Sequence, residues 1–161
     1  MTDKVTIMPV IALRGMTAFP YMPMSFDVGR QKSILALEAA LNDDQRVLLL
    51  AQRDAMTDDP GEEDLCRWGT IARIKQVLRP KDDNLKVLIE GLERAELVSV
   101  VEQSPYLIAA VQHYKAPEPQ GDEREKAQMR SAVKAFEEFA NMTHQVMPAA
   151  LLQAAVIDSP D

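Results

Sequence analysis

Two periods of hydrophobic spacing divide this chain of 161 residues. Up to Tyr114 apolar residues come in short runs of strand length; beyond Gly121 they recur at three- and four-residue steps. Val5–Leu13 is a β-rich run interrupted by Pro9, which fits an edge strand or a strand with a break, because proline has no N–H to donate. Ser25–Val28 is a short strand ended by Gly29. Ile34, Leu35, Leu37, Ala40 and Leu41 share one face of a helix over Arg30–Leu41. Arg46–Arg53 holds an unbroken apolar run, Val47 to Ala51, expected to be buried on both faces under that helix. Gly69–Leu78 and Leu85–Leu92 flank the polar tip Pro80–Asn84 and predict a hairpin. Leu97–Val101 and Tyr106–Tyr114 add strands, split at Ser104-Pro105. Six or seven short strands with one inserted helix predict a small β-barrel or curved sandwich.

Val87–Ala95 organises this pattern. Apolar residues lead into Gly91, and a second apolar run follows through Ala95, Leu97, Val98, Val100 and Val101. Glycine inside a strand marks a bulge or a close backbone approach, since no Cβ is present to clash. A strand that bends at Gly91 and continues in a new direction is the expectation, and small barrels need such corners.

After the Pro-containing linker 117–121 the composition changes. Asp122, Glu123 and Glu125 stand in the first turn of a helix, where the dipole favours negative charge. Met129, Val133, Phe136, Phe139 and Ala140 form an apolar stripe along it. Pro148 opens another helical segment with Leu151, Leu152, Ala155 and Val156. Asp158-Ser159-Pro160-Asp161 has the form of a helix start, capping residues and then proline, which is expected of a segment of a longer chain. The division is therefore 1–116 for the strand-rich domain, 117–121 for the linker and 122–161 for the start of a helical part.

Composition narrows the classes of function. The chain is acidic, at −7 and pI near 4.9, without a basic cluster interleaved with aromatics, so nucleic-acid binding is disfavoured. The single cysteine, Cys66, can form no disulfide within the chain and is expected to act as a small buried hydrophobe. There is no apolar run of membrane-spanning length and no signal core after Met1-Thr2-Asp3-Lys4, which points to the cytoplasm.

Catalytic and cofactor patterns are missing. The six glycines never fall at P-loop spacing. No serine has a nucleophile-elbow context. His113 and His144 are isolated from other ligating residues and read as structural or surface residues. Five acids in Thr57–Asp64 surround a Pro60-Gly61 turn without a histidine, which describes a solvated acidic loop rather than a metal site. No catalytic, cofactor or metal residue is assigned.

One stretch is suggestive. In Met16-Thr17-Ala18-Phe19-Pro20-Tyr21-Met22-Pro23-Met24 two prolines forbid a helix and hold the chain extended. Nine methionines against 5% aromatics show how far this chain relies on Met, which repacks around varied partners. Met16, Phe19, Tyr21, Met22 and Met24 are the candidate binding residues. Two readings stay open: an adaptable apolar surface, or side chains that plug a barrel end.

Several segments, in order, resemble the amino-terminal domain of Lon proteases, the ATP-dependent serine proteases. They are Leu13-Arg14 with Phe19-Pro20; Val28-Gly29-Arg30 with Ser33; Ala51-Gln52-Arg53 with Thr57, Pro60 and Asp64-Leu65; Gly69-Thr70-Ile71-Ala72; and Glu90-Gly91 with Arg94-Ala95. Ala12 stands where the family usually has proline, and Gly15 where it often has Asp or Asn, which implies a looser first loop. The resemblance implies an α+β fold, a PUA-like small β-barrel followed by an α-helical segment that begins a bundle. It implies a non-catalytic module that binds unfolded or damaged polypeptides for degradation. The alternatives are an assembly element of a homo-hexamer, through the stripe from Asp122 to Asn141, and a PUA-like nucleic-acid reader, which the charge opposes. The Ser-Lys active site, ATP and magnesium belong to parts of such a protease outside this chain.

Overall fold

The computed structural model describes residues 4–81, 84–118 and 120–143. His144, the helical segment expected from Pro148 and the helix start at Asp158 lie outside the described residues. The chain divides into two units, Met1–Lys115 and Ala116–Asp161.

In the first unit the elements run β1 (Val5–Leu13), β2 (Pro23–Val28), α1 (Gln31–Leu41), β3 (Arg46–Ala51), a 3-10 turn (Glu62–Asp64), β4 (Trp68–Leu78), β5 (Leu85–Glu102) and β6 (Ile108–His113). They form one mixed sheet in the order β2-β5-β4-β3-β1-β6, with β1 parallel to β3 and every other pair antiparallel. An additional β5–β6 pairing closes a circuit of strands that leaves β2 outside. This is a six-stranded mixed sheet rather than a simple barrel.

The cause lies in β5. Gly91 does not split this stretch into two strands, because β5 is continuous over 18 residues. A bulge absorbs the change of direction: Ile71 pairs Glu93 and Ala72 pairs Gly91, leaving Leu92 over. Residues 85–90 pair with β2, and residues 95–102 with β6. One bent strand thus serves two sets of partners.

Pro9 is resolved in the same way. It lies inside an unbroken β1, where that strand exchanges β6 for β3: Val5–Pro9 face β6 and Val10–Leu13 face β3. Val10 N–H points to the β6 side, toward Leu107 O. Alternation turns the Pro9 nitrogen toward β3, where pairing has not begun, so no ladder bond is lost.

β3 and the second half of β1, from Val10 to Leu13, are buried on both faces. Ile11, Leu13, Val47 and Leu49 pack with α1, Phe26, Val28, Val87 and Ile89, while Met8, Val10, Leu48 and Leu50 pack with Ile71, Leu97, Leu107 and Val111. Full burial of each such side chain contributes about 1.5–3 kcal/mol. The buried face of α1 is Ser33, Ala36, Leu37 and Ala40, a stripe rotated from the expected one; Leu41 is exposed. Small Ala36 and Ala40 let the helix approach the sheet closely, and Ile34 packs at the margin of that face.

The second unit holds α2, Glu123–Thr143. Asp122 accepts the Glu125 N–H at 2.7 Å and Glu125 accepts the Gly121 N–H at 2.8 Å, a reciprocal cap. Glu123 and Glu125 stand in its first turn. No described helix is long and apolar enough to cross a membrane.

Candidate functional site

The segment from Met16 to Met24 crosses Gly91. A Cβ at Gly91 would collide with the Phe19 carbonyl and lie 3.2 Å from Pro20 Cα, so only glycine admits this crossing. Two main-chain hydrogen bonds fix it, Tyr21 N–H to Gly91 O and Gly91 N–H to Met22 O, both 2.9 Å. A third support is buried: Thr70 Oγ1 donates to Ala18 O at 2.7 Å.

Tyr21 has φ = 63°. Two residues, Tyr21 and Met22, thus oppose Gly91, with the first in the left-handed region, as in the bulge type that ordinarily carries glycine there. A bulky residue in that conformation is strained. The result is a rigid loop that holds apolar side chains outward: Met16 is 37% exposed, Phe19 53%, Tyr21 85% and Met22 55%. Met24 departs from the expectation. It lies on the inward phase of β2 with Phe26 and Val28 and packs against the core, because side chains alternate along a strand.

Beside this loop lies a cleft of about 400 Å³ between β2 and the end of β1, lined by Ile11, Leu13, Met16, Phe26, Val28 and Arg30 among others. A second cleft of about 310 Å³ lies on the other side of Arg30, between the start of α1 and the acidic loop. Arg30 separates them, donating to Ala12 O at 2.6 Å and Asp58 O at 3.3 Å. Burial, and next the charge of Arg14, lower its pKa.

The acidic loop is engaged rather than merely solvated. Asp58 pairs with Arg14 at 3.0 Å, Asp59 with Lys32 at 2.6 Å, and Glu62 accepts the Val100 N–H. Gln52, buried at the end of β3, donates to Asp54 O and Thr57 O and holds the loop from inside. The exposed pairs contribute little individually. Among the described residues no group of three or more His, Cys, Asp or Glu is placed to hold a metal ion. His113 is structural: it contacts Glu93 at 2.9 Å and Thr6 at 2.8 Å, tying β1, β5 and β6 together. Cys66 is half-buried, not fully buried as expected: it lies between the 3-10 turn and β4, where its N–H donates to Ala51 O at the end of β3.

Sequence reasoning found the exposed loop but not Arg30, which the helix pattern counted as the first residue of α1. The signal available was its place directly after Gly29, where a strand ends.

Residues 7–161 match the family described as the ATP-dependent protease La (LON) substrate-binding domain. The chain belongs to that family. It is 36% identical over 160 residues to a Lon protease of Desulforamulus reducens, covering 99% of this chain and 20% of that protein. It is 37% identical over 153 residues to the Lon protease of Escherichia coli K12, covering 94% and 19%. The chain thus spans about a fifth of the length of these relatives. The N-terminal domain of Mycobacterium avium complex Lon protease superposes with a TM-score of 0.61 at 18% identity, covering 97% of this chain and 91% of that one, which shows a shared fold. A Lon N-terminal domain protein from Xanthomonas campestris gives 0.61 at 13% identity, covering 81% and 72%. The matched region is the substrate-binding part of such proteases, not their catalytic part.

Proposed function

We propose that this chain is the substrate-recognition domain of an ATP-dependent Lon protease and captures apolar segments of unfolded or damaged polypeptides through Met16, Phe19, Tyr21 and Met22. The observation that carries this reading is the exposed aromatic and methionine loop, held over Gly91 in a strained conformation. Strain at an exposed aromatic residue is kept where the surroundings over-determine it, and such places cluster at binding sites. The rigid main chain presents the surface and flexible Met side chains adapt it to varied sequences. Met24 serves as the inward anchor.

The cytoplasm, and the 1–116, 117–121 and 122–161 division, belong to this proposal. So does the PUA-like description, which the β5–β6 closure supports and the external β2 modifies. ATP and magnesium would act in other parts of the parent protease. The test is the combined variant Phe19→Ser, Tyr21→Ser, Met22→Ser, compared with the unmodified chain for binding to reduced, carboxymethylated α-lactalbumin. The expected result is at least about a tenfold loss of affinity, equivalent to about 1.4 kcal/mol, with unchanged circular dichroism. Equal binding by the folded variant contradicts the proposal.

A second reading rests on α2, whose Phe136 and Phe139 keep 36% and 58% of their surface exposed. The stripe would then pack against a neighbouring subunit of a homo-hexamer. Sedimentation over a range of concentrations tests it: association lost on Phe136→Ser supports it, and a strict monomer opposes it.

A further inference from the structure

β2 has a partner on one side only. Val28 to Pro23 pair with Leu85 to Glu90 of β5, and among the described residues no strand pairs with the other edge. The bond from Gly91 N–H to Met22 O sets the phase of that ladder. Main-chain groups alternate along an antiparallel strand, so those of Met24, Phe26 and Val28 turn toward β5. Those of Pro23, Ser25 and Asp27 turn outward, and the side chains of these three residues are exposed as well. The open edge therefore offers N–H and C=O of Ser25 and again of Asp27, the two-residue repeat that an extended peptide matches.

The surroundings suit such an occupant. The edge borders the 400 Å³ cleft, whose apolar lining includes Ile11, Leu13, Phe26 and Val28 and could take one side chain. Arg14 and Arg30 line it too, and the one carboxylate that pairs with Arg14, Asp58, meets Arg30 only through its carbonyl. Arg30 donates to two main-chain carbonyls, Ala12 O and Asp58 O, with the charges of Asp58 and Asp59 nearby, so its guanidinium can still take a direct pair from a negative group on the bound chain; Asp27 is the cleft's own acid. Pro23 and Asp27 also discourage indefinite edge-to-edge pairing, while leaving the two N–H groups available.

We propose that an extended segment of an unfolded polypeptide adds as a strand to the outer edge of β2, with one apolar side chain in the cleft and an acidic group facing Arg14 and Arg30. This rests on the polypeptide-binding reading above and names the peptide main chain as what is recognised. It also explains how one site would accept unrelated sequences, since every extended chain carries the same backbone groups.

The test uses the whole chain and reduced, carboxymethylated α-lactalbumin as probe. Ser25→Pro removes one outward N–H and is expected to weaken binding about tenfold, whereas Ser25→Ala is expected to bind like the unmodified chain. Unchanged binding by folded Ser25→Pro overturns strand addition. If the Phe19, Tyr21 and Met22 variant loses binding in the same assay while Ser25→Pro does not, strand addition alone fails and the apolar surface stands. Amide exchange in the unmodified chain decides the matter should Ser25→Pro not fold: exchange at Ser25 and Asp27 is expected to slow about tenfold on saturation with the probe. Unchanged exchange at both amides overturns the proposal.

Discussion

Tyr21 pays for its position. Its φ of 63° costs a residue with a Cβ about 1–2 kcal/mol, and its side chain is 85% exposed, so burial returns little. Tyr21→Gly is therefore expected to stabilise the protein by about 0.5–1 kcal/mol after the entropy of the added glycine, read by urea unfolding. A less stable variant would show that the ring has a structural role. Gly91→Ala should act in the opposite sense, because its methyl group meets main chain rather than a movable side chain. A loss of about 2–3 kcal/mol is expected. Next to it, Glu90 is paired with Lys75 at 2.6 Å, and the hydrogen bond from Lys75, followed by its charge, lowers the carboxyl pKa below its ordinary 4.5. The folded state then binds fewer protons than the unfolded one, so this contribution is complete above the ordinary value and is lost as pH falls through the lowered one. The stability difference between the unmodified chain and Glu90→Gln should shrink below pH 4.5 and stay level above it. A difference independent of pH contradicts this assignment.

At the scale of elements, the fold follows from strands that change partners. β1 changes at Pro9 and β5 near Gly91, and both residues were visible in the sequence as interruptions. Alternation and run length were enough to identify β3 as a strand buried on both faces. What the sequence could not reveal was pairing: a proline inside a strand costs nothing only if its nitrogen faces an unpaired side, and that depends on the neighbour. The same holds for the site. Prolines and methionines marked the exposed loop, but Met24 turned inward with the phase of β2, and the pairing of the acidic loop with Arg14 and Lys32 joins residues remote in sequence. The stripe of α1 was met at Leu37 and Ala40, with Ile34 at its margin, but it is shifted to take in Ser33 and Ala36 and to leave Leu41 exposed, which apolar size alone does not reveal. Thr70 couples the loop to β4. Thr70→Val keeps the shape but leaves Ala18 O buried without its donor, and should cost about 1–3 kcal/mol in urea unfolding. A loss near zero would mean that the loop is held by Gly91 alone.

For the molecule as a whole, membership of the Lon substrate-binding family and the rigid apolar loop point in the same direction. The first unit has a core on both faces of β3 and of the second half of β1, and it keeps its most exposed aromatic side chain on a loop hydrogen-bonded to Gly91 and Thr70. In the function proposed above, such a unit acts as a passive receptor. The direct measurement is an amide-resolved NMR titration of this chain with reduced, carboxymethylated α-lactalbumin, repeated with the natively folded protein. Shifts caused by the unfolded form alone and concentrated at Phe19, Tyr21, Met22 and the adjoining β2 edge are predicted. Shifts equal for both forms, or none at that surface under saturating probe, would contradict the account.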